Sequence, residues 1–167
     1  MSDIMIGSAR SAKLGDVNSV SEQKLYNHKL GWVVIHPKKK SHRHSVCLDM
    51  RNACSNNNIV YSQTYREEIY KRGTDCKVRT RADCSSLITQ IIRETMLINF
   101  PNSNTATLIN NAKATGMFDI YDYIPGKTEL WNGDILCTRT KGHVCAVTHG
   151  GKKNNEGTDT VGVKKTK

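Results

Sequence analysis

The stretch TRADCSSLITQII, residues 80–92, decides the fold because it predicts a helix that begins at a cysteine. Four apolar residues follow Cys84 at the spacing of one helical face: Leu87, Ile88, Ile91 and Ile92. Asp83 is a good N-cap, because its carboxylate can accept from the unpaired amides of the first turn. The helix N-terminus favours a thiolate, so a lowered pKa and a nucleophilic role are predicted for Cys84. The same local sequence is equally compatible with a small, buried structural cysteine.

The length and composition indicate one soluble domain. A chain of 167 residues can bury a core of its own, and it contains no apolar run long enough to span a membrane. The first residues, MSDIMIGSAR, lack the basic start and apolar middle of a signal peptide, so we expect synthesis in the cytoplasm. The six cysteines form no CxxC pair, which disfavours a zinc ribbon or a thioredoxin-type site and predicts reduced thiols.

The charge predicts attraction to a polyanion. The net charge is +10, from 25 basic and 15 acidic residues. Nucleic acids, membrane surfaces and anionic cell-wall polymers all satisfy this condition, and charge alone does not choose between them. Part of the excess lies in residues 38–43 and part after residue 150, and each run by itself is more typical of a solvated loop or tail.

Several further elements can be predicted from local patterns. We predict a strand at residues 30–36 and a basic loop at 37–45. Four helices are predicted after them: one at 46–54, one that starts at 62 or 64 and ends at 71, one that starts at 84 and ends before Pro101, and one within 102–118 with Thr105 as its cap. Residues 1–22 have no clear period, and 121–128 resemble a loop. Strands at 134–140 and 143–149, joined at Lys141–Gly142, predict a hairpin. The domain is expected to span residues 1–150, followed by a lysine-rich tail, 151–167, with space for one last strand around 158–163.

His143 opens the second strand of that hairpin and is the second chemical element. Alternation puts His143, Cys145, Val147 and His149 on one face of the strand, and Val144, Ala146 and Thr148 on the other. An imidazole at the mouth of a strand can face a helix N-terminus packed against the sheet, and can then take a thiol proton. A histidine is more often a packed or surface residue. The order of cysteine helix, Gly-Asp strand and Gly-His strand favours the pairing.

Two blocks of the sequence resemble a known group of enzymes. ADCSSL (82–87) and WNGDILCTRTKGHVCAVTHG (131–150) resemble the cysteine and histidine blocks of NlpC-type cell-wall peptidases, which belong to the papain-like group together with the CHAP amidases. The resemblance implies an α+β, papain-like domain with N-terminal helices packed on a small antiparallel sheet. It also implies a phage lysin that hydrolyses a peptidoglycan amide bond, as an endopeptidase or an N-acetylmuramoyl-L-alanine amidase.

A lysin of this kind is made in the host cytoplasm and acts at the bacterial cell wall, either free or mounted on a virion. The resemblance implies no cofactor and no metal, and we expect a monomer without a specific nucleic-acid partner. The positive charge would then hold the enzyme on anionic wall polymers, with an affinity that falls as salt rises.

The resemblance also assigns roles to individual residues. Cys84 would be the nucleophile and His143 the general base and acid, with the Cys84 backbone amide stabilising the oxyanion. Asp83 and Ser85 match positions that hold polar groups of the peptide substrate, and Tyr61 corresponds more weakly to an upstream tyrosine that lines the site.

The sequence does not select one residue as the third catalytic group. The family usually carries it on the strand after the base, which would select Asn155 or Asn154 in the segment KKNNEG. Asp16 and a backbone carbonyl are alternatives. Such a group matters because the imidazole must present the correct nitrogen to the sulfur.

Three other functions compete with this interpretation. A zinc site could be built from His42, His44, Cys47 and Cys54, but their spacings match no known pattern. A nucleic-acid-binding module would explain the charge, but aromatic residues make up only 6% of the chain and no recognition motif is present. A papain-like thiol enzyme acting on another substrate would share the same residues.

Overall fold

The computed structural model describes residues 3–11, 20–156 and 159. Its elements are β1 (Met5–Ala9), β2 (Val20–Lys24), β3 (Trp32–Pro37), α1 (Lys40–Cys54), β4 (Ile59–Tyr61), α2 (Glu68–Arg72), β5 (Thr80–Ala82), α3 (Cys84–Met96), α4 (Leu108–Thr115), β6 (Phe118–Asp122), β7 (Ile135–Thr138) and β8 (Val144–His149). Asp16 and the strand expected around 158–163 lie outside the described residues. None of the described helices has the length and apolarity needed to cross a membrane.

The six longer strands form one antiparallel sheet in the order β2-β1-β8-β7-β3-β6, and β4 and β5 form a separate parallel pair. The predicted α+β class is therefore confirmed. The expected N-terminal helices are wrong, because three strands precede α1. The sequence did not reveal β1 because this short strand contains Gly7 and Ser8 in place of an alternating apolar pattern.

The sheet buries a core on each face. The main core lies between the sheet and the helices, where α3 packs against α1 and β8. A smaller core covers the opposite face and includes Trp32, Leu136, Cys145 and Val147. Val144 and Ala146 belong to the main core, so the alternation predicted along β8 is confirmed. Packing of α3 on β8 brings the first turn of that helix to the end of the strand where His143 lies.

Most of the predicted basic loop at residues 37–45 is helical, because α1 already begins at Lys40, and the prediction of a loop is corrected accordingly. One helix runs from Lys40 to Cys54. The reason is Arg43, which is fully buried, donates from Nη1 to the carbonyl oxygen of Pro37 at 2.8 Å, and lies 4.7 Å from the centre of the Trp131 ring. Pro37 belongs to β3 and Trp131 lies far along the chain, so the local charge pattern could not reveal the helix start.

The Gly-Asp pair before β7 fixes the base of the hairpin. Asp134 is fully buried, with one carboxylate oxygen 2.6 Å from Nδ1 of His36 and the other accepting from the amide of Trp131 at 2.8 Å. Gly133 has a φ of +90°, and a Cβ built there would lie 2.0 Å from the carbonyl oxygen of Arg43. Only glycine permits this contact between the turn and α1.

Two other predicted helices are shorter than expected. The helix expected to start at residue 62 or 64 is limited to α2, which begins at Glu68. Gly73 is its C-cap, so the predicted end of the helix is confirmed. The helix expected at 102–118 is α4, and β6 occupies the end of that range and part of the predicted loop. Thr105 does not cap α4, because the N-cap position is Thr107, which makes no side-chain cap hydrogen bond. The Thr105 side chain contacts the β7–β8 connection.

Candidate active site

The first turn of α3 has the geometry predicted from the sequence. Asp83 is the N-cap, and its Oδ1 accepts from the amide of Ser86 at 2.8 Å. The hydroxyl oxygen of Ser86 accepts in return from the amide of Asp83 at 2.9 Å, which completes a capping box. Cys84 is the first residue of the helix. The cap therefore fixes the direction in which the cysteine leaves the backbone.

Arg66 holds this turn from outside, and no sequence pattern predicted it. Its Nε donates to Oδ2 of Asp83 at 2.7 Å, and its Nη2 donates to the hydroxyl of Ser85 at 3.0 Å and to the carbonyl oxygen of Ser103 at 2.6 Å. The Ser85 hydroxyl in turn donates to Oδ1 of Asp83 at 3.2 Å. The Asp83 charge is thus balanced by an arginine, and both predicted substrate contacts are already engaged within the protein.

The Cys84 thiol lies in a drier environment than its position at a helix N-terminus suggests. Burial raises the pKa of Cys84 to about 11, although hydrogen bonding from the backbone amide of Val144 opposes this rise. The Asp83 charge raises the pKa further, and the amides of Ser85 and Cys84 itself lower it. The expected lowering of the pKa is therefore wrong for this structure, because the cost of placing a charge in a buried site exceeds the effect of the helix N-terminus.

Hydrogen bonds from neighbouring threonines hold His143 at the start of β8. The backbone amide of His143 donates to the hydroxyl oxygen of Thr138 at 3.1 Å, and its carbonyl oxygen accepts from the Thr138 amide at 3.0 Å. The next residue back, Gly142, donates its amide to the Thr105 hydroxyl oxygen at 2.9 Å. The tight connection before β8 is therefore fixed from both sides, and so is the backbone that carries the imidazole.

The His143 imidazole is surrounded by aromatic and cationic groups. Its ring centre lies 6.3 Å from that of Trp32, and Trp32 lies 5.3 Å from His28. Burial lowers the pKa of His143 to about 4, and the positive charges of His28 and Arg10 contribute to the lowering. His143 is therefore neutral at physiological pH, and so is the Cys84 thiol.

One cavity of about 160 Å³ contains all five residues that the sequence selected. Cys84 and His143 line it together with Asp83, Ser85 and Tyr61. Burial raises the pKa of the Tyr61 phenol, against a hydrogen bond with Gln63. Residues that the sequence did not predict complete the lining: Ala9, Arg10, Ser11, Gln63, Asn104, Thr105, Lys141 and Gly142.

The candidates for a third catalytic group lie elsewhere. Asn154 and Asn155 line a second cavity that shares no lining residue with the first, and Asp16 lies outside the described residues. Among the described residues, no side chain hydrogen-bonds to the His143 ring.

One neighbour of β8 in the sheet is β1. The resemblance implied that the third catalytic group would lie on a strand that follows β8 in the sequence. Gly7 pairs with Ala146, and continuing that antiparallel register brings Arg10 opposite His143. Arg10 also lines the cavity that contains His143, and its positive charge contributes to the lowered pKa of the imidazole. No pattern in the sequence pointed to Arg10, because the strand that precedes it was itself not recognised.

The proposed zinc ligands do not form a site. The Cys47 thiol donates to the carbonyl oxygen of Thr148 at 3.2 Å, and no group of three or more candidate ligands occurs in residues 3–11 and 20–156.

The described elements define an α+β domain in which a cysteine at a helix N-terminus and a histidine at the start of a strand line one cavity. The sequence profile of the Endolysin-like domain matches residues 6–154, so the chain belongs to the endolysin-like family. Membership of this family indicates a phage lysin that acts on the bacterial cell wall, with peptidoglycan as its substrate. No curated protein and no solved structure matches the chain.

Proposed function

We propose that this protein hydrolyses an amide bond of peptidoglycan by a papain-like mechanism, with Cys84 as the nucleophile and His143 as the general base and acid. The observation that supports this proposal is their common cavity, in a chain of the endolysin-like family. The bond would lie in the stem peptide, or between muramic acid and L-alanine. The enzyme would therefore be an endopeptidase or an N-acetylmuramoyl-L-alanine amidase.

In the first step, the sulfur of Cys84 would attack the carbonyl carbon while the neutral imidazole of His143 takes the thiol proton. The tetrahedral oxyanion would accept a hydrogen bond from the Cys84 backbone amide, which is unpaired within α3 because it belongs to the first turn. His143 would then protonate the amine as the carbon–nitrogen bond breaks and a thioester remains on the enzyme.

In the second step, His143 would take a proton from water, and the resulting attack on the thioester would release the acid and restore the thiol. The same group thus serves twice as base and twice as acid. The pKa of about 4 suits the first role, since His143 is available as a base at neutral pH. The lining of the cavity also contains Arg10 and Lys141, whose positive charges would favour the oxyanion and anionic substrates.

The test is the clearing of a suspension of Gram-positive cell walls by the full chain under reducing conditions. We expect Cys84→Ala and His143→Ala to abolish clearing while circular dichroism and thermal unfolding stay close to those of the wild type. Near-normal clearing by either variant would mean that the site is assigned wrongly. Mass spectrometry of the fragments from defined peptidoglycan would identify the bond.

Two matched controls are available in the chain. Cys54 is also partly exposed but does not line the cavity, so Cys54→Ala should clear walls at a near-normal rate. His149 lies on the same strand as the proposed base, at its other end, and its Nε2 is 3.2 Å from a carboxylate oxygen of Glu22. His149→Gln should also retain clearing.

A further inference from the structure

A second cavity, of about 340 Å³, lies at the opposite end of β8 from His143. Three residues with basic side chains line it, His44, Arg51 and Lys153, together with amide side chains that include Asn132 and Asn155. Among the described residues that form its wall, none is acidic. The site therefore carries two fixed positive charges, on Arg51 and Lys153.

The walls of this cavity are fixed by hydrogen bonds. Nε of Arg51, on α1, donates to the carbonyl oxygen of Thr148 at 2.7 Å, which holds the guanidinium over the end of β8. The terminal nitrogens of Arg51 make no hydrogen bond to a described residue, so they are available to a ligand. Asn132 is also held in place: its side-chain Oδ1 accepts from the backbone amide of Gly151 at 3.0 Å, and the backbone amide of Asn132 donates to the carbonyl oxygen of Lys152 at 3.1 Å. The cationic groups thus project from an ordered framework.

The distance to the active site allows both cavities to be occupied at once. Thr148 lies five residues beyond His143, which corresponds to roughly 17 Å along a strand. A ligand at Arg51 would not compete with a peptide at Cys84, and a polymer attached to the same wall could reach both.

The chemistry of the lining selects the kind of anion. A guanidinium and an ammonium bind phosphate oxygens well, and side-chain amides can bind hydroxyl groups. No Trp, Tyr or Phe side chain is among the described residues of the wall, so bases would find no platform for stacking. We propose that this cavity binds a phosphodiester-linked polyol polymer of the cell wall, the class that includes teichoic acids, and holds the protein on its substrate independently of catalysis.

The test measures binding of the full chain carrying Cys84→Ala to purified walls that retain the phosphodiester polymer and to walls stripped of it. This background prevents digestion of the walls, so the result does not depend on whether Cys84 is the nucleophile. We expect binding to the first walls to be at least about tenfold tighter and to weaken as salt rises. Equal binding to both kinds of wall would overturn the proposal.

Two variants assign the binding to this cavity. Arg51→Gln and Lys153→Gln should each weaken binding about three- to tenfold and reduce its salt dependence. Because Arg51 also bonds to β8, the exposed Lys153 provides the variant that leaves the framework intact. Lys127→Gln removes an equal charge from the exposed turn after β6 and should bind like the parent. Unchanged affinity of both cavity variants would place the binding elsewhere.

A competition experiment distinguishes the polymer from a nucleic acid. Glycerol phosphate oligomers should displace the walls from the protein, whereas single-stranded DNA at the same phosphate concentration, whose unpaired bases find no aromatic side chain to stack on, should displace them less well. Equal displacement by DNA would contradict the selectivity for a polyol phosphate.

Discussion

Replacing Asp49 by asparagine should stabilise this protein at alkaline pH and not at acidic pH. Asp49 lies on α1 and faces Glu94 on α3, the helix that begins at Cys84. The hydroxyl oxygen of Thr74 lies 2.7 Å from a carboxylate oxygen of Asp49 and 2.6 Å from one of Glu94. A hydroxyl group has only one hydrogen to donate, so both contacts are hydrogen bonds only when one carboxyl group is protonated.

The magnitude follows from the pKa of Asp49. Burial raises this pKa from 3.8 to about 7, and the nearby charges of Glu94 and Asp75 add to the rise, against a hydrogen bond from Thr74. The folded protein therefore holds this proton more tightly than the unfolded chain does. The associated stability is complete below about pH 4 and is lost as the pH rises through 7, with a limit of about 4 kcal/mol.

Asparagine resembles the protonated acid, so Asp49→Asn should not lose this contribution. Urea unfolding at several pH values between 4.5 and 8.5 gives the difference in the free energy of unfolding between variant and wild type. We expect that difference to increase by about 2–4 kcal/mol in favour of the variant from the lowest to the highest pH.

The control for this experiment is Asp3→Asn, which alters an exposed pair with Lys24. The free energy of unfolding of Asp3→Asn should stay within about 0.5 kcal/mol of the wild-type value across the same pH range. A constant difference for Asp49→Asn from pH 4.5 to 8.5 would show that the two carboxylates do not share a proton.

Three further predictions concern the site and the hairpin that carries it. The acidic limb of kcat/KM for wall fragments should lie near pH 4, because the pKa of His143 is about 4 in the free protein; a limb near 6.5 would contradict the burial of that ring. Arg66→Met should lower the free energy of unfolding by about 1–3 kcal/mol and reduce kcat, since it leaves Asp83 without its cation; chemical denaturation and initial rates would measure both, and an unaltered protein would show that Arg66 does not hold the turn. Gly133→Ala should destabilise the fold by more than about 2 kcal/mol because of its contact with Arg43, and a shift in the thermal midpoint of less than a degree would contradict that contact.

The local pattern was sufficient wherever an element depends on neighbours in the sequence. The periodicity after Cys84 and the carboxylate of Asp83 specified α3 and its cap, because an N-cap acts on amides only three residues away. The alternation after His143 specified both faces of β8, because successive side chains of any strand point in opposite directions. These two elements also supplied the candidate thiol and imidazole.

The tertiary structure decided the features that depend on distant partners. Arg43 is buried by contacts with other elements, and this converts a basic loop into the first turn of α1. Short β1 acquires its conformation from pairing with β2 and β8, and it leads to Arg10, which lines the same cavity as His143. Arg66 reaches the α3 cap across the chain.

The pKa of Cys84 shows the same division between local and distant effects. The sequence placed its sulfur at a helix N-terminus, which by itself lowers a thiol pKa. The packing around that helix buried the sulfur, and burial raised the pKa to about 11. The sequence therefore determined which residues supply the thiol and the imidazole. The tertiary structure determined the protonation states of these two groups, because the dielectric environment of an atom depends on everything packed around it.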